Sequence, residues 1–484
     1  MSGQDQEFTA AVGAARAEAP RAHAPGGRSG SVGPGWLGKH SPASAERRAA
    51  TRGAFFTEFV DMFDIYLPTV VLTPALVYFQ PAHLSQGAAG IFTSLVFVTT
   101  LIGRPVGAAI FGAIGDRLGR RRTTIMSVSG FAVITLLIAV LPGYSTIGIS
   151  AYWLLIILRF LDGVCLGGGY TGSHPLAMEY APASRRGLLG GVILAAFPAA
   201  YVLITLLALA SSAIFPLAGA GSAYAVWGWR VPFVIGALLA TALAIYYARK
   251  VSESKVWERS ATTAGTDATT AVKRRSPLAD LLSGQARRNL LQVFVMMSGF
   301  WLTQNMVTLV LPTAILGDTL HLSHDQLTTT LLIAYACLGF SYIGAGVMGQ
   351  RFGRRRFFIV NAALIAVLGS VLLTLIVTGT FHSLAALIVV VCVFAILVTA
   401  PWGVVLSYIN ERFATDVRAS GFGLGFSASV IIPSFYAFFM DWLGNVMPYH
   451  LTPVVLLFIG AVLGALGAAA GPDTRHVDLA RDDI

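Results

Sequence analysis

Apolar runs of about 20 residues recur along the chain, each long enough to cross a hydrocarbon layer roughly 30 Å thick. Short polar stretches separate them, and the pattern predicts twelve helical spans. Six lie near 54–79, 88–113, 123–142, 151–177, 187–215 and 230–250, and six near 289–316, 326–349, 356–378, 383–408, 418–442 and 449–471. Residues 1–52 are rich in Ala, Gly, Ser and Pro and hold no apolar core of a signal peptide, which predicts a disordered cytoplasmic tail with room for a short amphipathic piece near its end. Residues 251–288 are polar and basic, with Lys273-Arg274-Arg275 and Arg287-Arg288, and suit a cytoplasmic linker with short interfacial helices. The expected organisation is a bundle over 53–250, a second over 289–471, and a short tail over 472–484.

One stretch occurs twice. Gly112-Ala-Ile-Gly-Asp-Arg-Leu-Gly-Arg-Arg-Arg122 returns as Gly346-Val-Met-Gly-Gln-Arg-Phe-Gly-Arg-Arg-Arg356, each between the second and third spans of its half. Both read as tight basic hairpins whose glycines permit a sharp reversal and whose arginines stay beside lipid headgroups. Two similar six-span halves imply parallel repeats, an arrangement of secondary transporters with the site near mid-membrane between the halves. The fold class is therefore an all-α polytopic membrane protein, twelve transmembrane helices in two six-helix bundles.

Composition supports this reading: 55% of residues are hydrophobic and only 12% charged, about half the charge of a soluble domain. The net charge of +10 does not point to nucleic acid, because the basic residues alternate from loop to loop. They fill the N-terminal tail, the loops after spans two, four, six, eight and ten, and the C-terminal tail. By the positive-inside rule both termini face the cytoplasm, and a bacterial inner (plasma) membrane is expected. Cys165, Cys337 and Cys392 all fall within spans, where they read as small hydrophobes rather than a disulfide or metal framework. Neither a cofactor nor a metal is expected, and a monomer is.

Residues 104–122, from Arg104-Pro-Val-Gly through the first hairpin, resemble the signature loop of the major facilitator superfamily. Its Arg-Pro start is similar to the metabolite:proton symporter branch. So are Arg159-Phe-Leu-Asp-Gly163, Gly167-Gly-Gly-Tyr-Thr-Gly172, Glu179-Tyr-Ala-Pro-Ala-Ser-Arg-Arg-Gly187, Trp227-Gly-Trp-Arg-Val-Pro-Phe233 and Glu411-Arg-Phe-Ala-Thr-Asp-Val-Arg-Ala-Ser-Gly421. Glu58-Phe-Val-Asp-Met-Phe-Asp64 is also similar to the aromatic-acid:proton symporters. The resemblance covers 53–471 and implies alternating access, import of a small organic acid or zwitterion, and coupling to a proton. Gln350 stands where the first hairpin has Asp116, which leaves the second hairpin one charge short.

Charged residues inside spans are costly and mark function by default. Glu58, Asp61 and Asp64 recur at three-residue intervals along one side of span one and are the candidate proton-coupling acids. By the resemblance Asp64 takes that role first and Asp61 next; the alternative is a structural helix neutralised by Arg104 or Arg159. Those two arginines are the candidate receptors for a substrate carboxylate, although Asp162 lies one turn from Arg159 and could occupy it. Tyr170 and His174 could wall the same site or simply pack. In the second half Gln304 and Asn305, beside Thr303, and Trp402, after Pro401, either line the cavity or bond neighbouring helices. Asp441 reads as a rim residue. Gly167, Gly168 and Gly169 suit close helix packing, since no Lys-Ser or Lys-Thr follows to make a phosphate loop.

The hairpins are expected to act as gates through Gly115, Asp116, Arg117, Gly119, Arg120 and Arg351. Asp116 would hold arginines or helix ends across the cytoplasmic seam, and Glu179 would pair with Arg185 or Arg186. No nucleophile–base pair, ATP motif or metal-ligand spacing is present, so an enzyme is not expected. A proton-driven exporter of amphipathic compounds, a uniporter and a transporter-derived receptor remain open at this stage.

Overall fold

The computed structural model of the protein describes residues 42–81, 86–216, 218–219, 221–259, 277–381 and 383–479. The expected tail up to residue 41, the middle of the linker and residues 480–484 lie outside the described residues. Among the described residues, twelve helical segments are long and apolar enough to cross a bilayer. In the first half they are α1 (Ser44–Tyr78), α2 (Leu95–Leu118), α3 (Arg120–Ala139), α4 (Ser150–Tyr180), α5 (Ala183–Ile214) and α6 (Tyr224–Lys250). In the second half they are α7 (Gly284–Thr319), α8 (Asp325–Phe352), α9 (Arg354–Val377), α10 (Leu384–Asn410), α11 (Arg418–Gly444) and α12 (Tyr449–Ala469).

Two boundaries differ from the sequence expectation. Among the described residues helix already runs from Pro42, ahead of the span expected from 54, and α1 continues it; proline suits a first helical turn and the alanines after it favour helix. The hairpins, expected as loops, are almost wholly helical. Helix runs to Leu118, reverses at Gly119 alone, and restarts at Arg120; Gly353 does the same between Phe352 and Arg354. Their φ angles of 102° and 97° explain why glycine is required at both. Each new helix then has its free N–H groups met by a distant acid. Glu253 accepts from Arg120 N and Arg121 N at 2.9 and 3.1 Å, and Asp473 accepts from Arg354 N at 3.1 Å.

The first helix of each half changes its winding past mid-membrane. After Leu67, α1 widens to a π-helical turn over Pro68–Leu72 and then tightens to a 3₁₀ stretch over Thr73–Tyr78. In α7 the π-helical winding covers Met306–Thr319 and contains Pro312. Proline removes a backbone donor and so loosens the ladder, and such irregular helix is tolerated in a membrane where it lines a cavity.

Inside the first bundle α2 and α4 cross at glycines. A Cβ on Gly107 would fall on the Val164 carbonyl, which a backbone atom cannot vacate cheaply. Gly107→Val is therefore expected to abolish a monodisperse, folded peak in detergent size-exclusion chromatography. A wild-type profile with unchanged melting would show that the crossing is not close. Between the bundles α2 meets α11 and α5 meets α8. There, a Cβ on Gly112 would sit 2.8 Å from Ser420 Cα.

Candidate functional site

At the end away from the hairpins a funnel of about 540 Å³ opens between the bundles. Thr69, Thr73, Thr205, Thr308 and Thr313 supply hydroxyls to its wall, and none of its lining residues is charged. The unwound parts of α1 and α7 contribute Pro68, Pro74 and Pro312. An aromatic layer forms its floor. Tyr201 stacks on Tyr335 at 3.9 Å, and Tyr66 meets Tyr201 and Phe197 at 5.3 and 5.5 Å.

Below that floor lies a chamber of about 20 Å³, room for roughly one water. Glu58, Tyr66, Phe197, Trp301, Gln304, Tyr342 and Trp402 surround it, so both bundles contribute. Trp301 and Trp402 meet edge to face at 4.5 Å. Glu58 is the one ionisable acid in the wall. The Trp402 indole N–H and the Gln304 side-chain oxygen have no hydrogen-bond partner among the described residues. Unpaired polar atoms at such depth are expensive, which marks the chamber as a place built to receive polar groups.

Behind Glu58 the first bundle holds two charge clusters. Arg104 Nη2 donates to Asp61 Oδ2 at 2.7 Å, and its guanidinium lies 4.8 Å from the Tyr170 ring centre. His174 Nε2 sits 3.3 Å from Glu58, between Tyr170 and the edge of Phe422. Deeper in the bundle Arg159 donates to Asp64 at 3.0 Å and to Asp162 at 2.7 Å, while Thr135 donates to Asp64 at 3.1 Å. All of these groups are buried. The clusters hold four carboxylates, from Glu58, Asp61, Asp64 and Asp162, against two guanidiniums. Burying that excess is costly, so it must be met by protons or by a cationic ligand.

The hairpin end is shut by reciprocal contacts. Asp116 accepts from Ala419 N and Ser420 N at 3.0 Å each and from Ser420 Oγ at 2.7 Å, capping α11 across the seam. Arg418 of the second bundle donates to Glu179 of the first at 2.7 Å, with Arg120 Nε 3.7 Å from the same acid. In mirror fashion Arg354 grips Glu411 with two bonds of 2.5 and 2.6 Å, and Arg186 reaches Glu411 from the other bundle at 3.7 Å. Gln350 completes the symmetry by accepting from Gly187 N at 3.2 Å.

The model of the family described as "Sugar (and other) transporter" matches residues 51–480. The chain belongs to this family of the major facilitator superfamily. It is 30% identical to the inner membrane metabolite transport protein YhjE of Escherichia coli (strain K12), across 87% of this chain and 93% of that protein. It is 25% identical to the proline/betaine transporter of the same organism, across 77% of this chain and 73% of the relative. The fold is that of the proton:xylose symporter XylE bound to 6-bromo-6-deoxy-D-glucose, with a TM-score of 0.69, 21% identity, and 88% and 95% of the two chains covered. The protein is thus a multi-pass membrane transporter of metabolites and not an enzyme.

For a facilitator-superfamily transporter, the structure sorts the residues singled out from sequence by where they face. Glu58, Gln304 and Trp402 meet at the chamber. Asp61, Arg104, Tyr170 and His174 form the layer behind it, whereas Asp64, Arg159 and Asp162 are turned into the first bundle. Asn305 spends its amide on the Pro433 carbonyl at 3.0 Å and tethers α7 to α11. Among the gate residues, Gly115 abuts Ala419, and Arg120 donates to the Thr415 carbonyl at 2.6 Å. The Arg117 and Arg351 side chains are exposed, and Asp441 is exposed near the opposite end.

Two expectations are corrected. Glu179 does not pair with Arg185 or Arg186; Arg185 is exposed, and Arg186 turns across the seam to Glu411 and the Val477 carbonyl. The second hairpin is also not short of a charge network, because Glu411 supplies the acid and Gln350 needs only an amide oxygen. Trp301, Tyr66, Phe197 and Tyr342 were not singled out from the sequence, nor were Arg354, Arg418, Glu253 and Asp473. For Trp301 a signal existed, since it precedes Gln304 by one helical turn.

Proposed function

We propose that the protein imports a small zwitterion together with a proton, by alternating access through the chamber at Glu58. The basic hairpin end is read as cytoplasmic by the positive-inside rule, which makes the present conformation outward-facing with a closed inner gate. The observation that carries the substrate reading is that, among the described residues, the chamber wall holds no free cation. Arg104 is taken by Asp61, and Arg159 by Asp64 and Asp162. What the chamber offers instead is the Glu58 carboxylate among the aromatic rings of Tyr66, Trp301 and Trp402, surroundings that suit an ammonium group. The Trp402 N–H stands ready for the carboxylate at the substrate's other end, and the Gln304 carbonyl oxygen adds an acceptor for the cationic end. Four of the relatives are by name proline/betaine transporters, one of them only provisionally, which is consistent with this chemistry.

In the cycle the substrate enters the hydroxyl-lined funnel and parts the aromatic floor. Its cation then neutralises Glu58. A proton taken by Asp61 frees Arg104 to meet the substrate carboxylate or the remaining negative charge. With Glu58 met by the substrate cation and Asp61 by the proton, the bundles rock, the reciprocal pairs at the hairpins part, and substrate and proton leave inside.

The test uses proteoliposomes with a pH dye in the lumen, to which glycine betaine, proline, choline, acetate or succinate is added outside. Acidification by glycine betaine or proline, absent with acetate and succinate and lost in Glu58→Gln, is the expected result. Acidification by simple carboxylates alone would overturn the zwitterion reading. Proton movement opposite to choline would instead favour a cation exporter, the second reading that an acid in an aromatic chamber supports.

A further inference from the structure

On its outer face the first bundle carries a groove between α3 and α6, with a volume of about 470 Å³. It shares no lining residue with the funnel or the chamber. Its wall is almost entirely apolar, with Ile125, Ala132 and Leu136 on one side and Leu238, Thr241 and Ile245 on the other. From Val234 to Ala248 the wall rises about 21 Å along α6, more than half of a hydrocarbon core of about 30 Å. An acyl chain of one leaflet fits that length.

The hairpin end of the groove is ringed by cations. Arg122 stands on α3 one turn before Ile125, Arg249 on α6 one turn after Ile245, and Lys250 ends the helix; all three are exposed, and none has an ion pair among the described residues. The two helix ends that carry them are joined by a neighbouring arginine. Arg121 donates from Nη2 to the Ala248 carbonyl at 2.6 Å and from Nε to the Tyr247 carbonyl at 3.3 Å, fastening the hairpin to the last turn of α6. Glu253, the nearby acid, is spent on the N–H groups of Arg120 and Arg121. The second half repeats the joint, with Arg355 donating to the Ala469 carbonyl at 2.8 Å. Yet there α12 ends in Ala469-Ala470-Gly471-Pro472, without any cation. The cluster on the first bundle is therefore more than the general basic bias of that membrane face.

We propose that this groove is a binding site for one anionic phospholipid. Its acyl chain lies along α3 and α6, and its phosphate is held by Arg122, Arg249 and Lys250. The site draws its affinity from apolar burial along the groove and its headgroup choice from the three cations. It fixes a lipid to the same α3–α6 face whose far side packs against the proton-carrying acids of α1.

Native mass spectrometry of the purified protein, exposed to phosphatidylglycerol or phosphatidylcholine of equal chain length, tests this. Wild type is expected to retain one phosphatidylglycerol at least tenfold over phosphatidylcholine. Arg122→Gln with Arg249→Gln and Lys250→Gln should erase the preference while leaving the melting temperature in detergent unchanged. Thr241→Trp, which fills the groove from an exposed position, should lower retention of both lipids. Equal retention of the two lipids by wild type would overturn the proposal. So would a preference that survives both variants, or a groove occupied by a second copy and seen as dimer.

Discussion

Replacing Glu411 by alanine is expected to unlatch the hairpin end of the transporter. The Glu411 side chain is buried and receives Arg354 twice, at 2.5 and 2.6 Å, and Thr474 Oγ1 at 2.6 Å, with Arg186 at 3.7 Å. Removing one partner of a buried pair costs about 3–5 kcal/mol, because the abandoned charge keeps its desolvation penalty. Here two guanidiniums are abandoned, and Arg186 belongs to the opposite bundle. Opening the seam lets Arg186 regain water, so part of the penalty falls on the closed state alone. If that part is about 2 kcal/mol, the ratio of closed to open forms drops about thirtyfold.

Ser407 reports the change, because it is buried and its backbone N lies 3.6 Å from where a Cβ on Gly190 would stand, at the seam of α10 and α5. In a chain with Cys165, Cys337 and Cys392 changed to serine, Ser407→Cys should react with a maleimide at least tenfold faster when Glu411→Ala is added. Glu411→Asp, which keeps the charge, should restore most of the protection. Equal labelling rates in all three chains would mean that this acid only stiffens the second bundle.

The latch also shows what the sequence could and could not reveal. The two hairpins were legible as a repeat, and with them the twelve spans and the two-bundle fold. Their folded form was not, because a run of glycine and arginine between apolar segments reads as a solvated loop. Only closure of the chain brings Glu253 and Asp473 to the two helix starts, from positions more than a hundred residues away in sequence. The same limit hid the exchange of partners, in which Glu179 takes an arginine from the second half and Glu411 takes one from the first.

The acids of α1 failed in a more instructive way. Spacing of three suggested one side of a helix, but three residues turn about 300°, so each step slips back about 60°. Glu58 and Asp64 are then about 120° apart around the axis. That is enough for one to face the chamber and the other to face Arg159 and Thr135. Asp61 lies between them in direction as well as in sequence, and it alone holds Arg104. The spacing therefore drew out three acids without saying which way each faces.

Asp61→Asn is expected to separate transport from the proton. Asparagine has the shape of a protonated aspartate and keeps a carbonyl for Arg104, but it can neither gain nor lose the charge. In the wild type Asp61 Oδ2 binds Arg104 at 2.7 Å while Oδ1 has no partner among the described residues, so it offers a place for a proton within reach of the chamber. Once protonated, Asp61 holds Arg104 by a neutral hydrogen bond alone, and the guanidinium can serve Glu58 or the substrate carboxylate. The variant is fixed in that released state. It should exchange labelled substrate down a gradient at a rate within about tenfold of wild type, yet fail to accumulate it. With one proton per neutral zwitterion, a membrane potential of 100 mV supplies about 2.3 kcal/mol, enough for a gradient of roughly fiftyfold. Proteoliposomes clamped at that potential should therefore approach fiftyfold accumulation with wild type and about onefold with Asp61→Asn. Asp64→Asn provides the comparison, since Asp64 shares Arg159 with Asp162 and sits behind the chamber layer. Accumulation that survives Asp61→Asn but collapses in Asp64→Asn would move the coupling proton to the deeper cluster. Accumulation that survives both would remove the α1 acids from the coupling step.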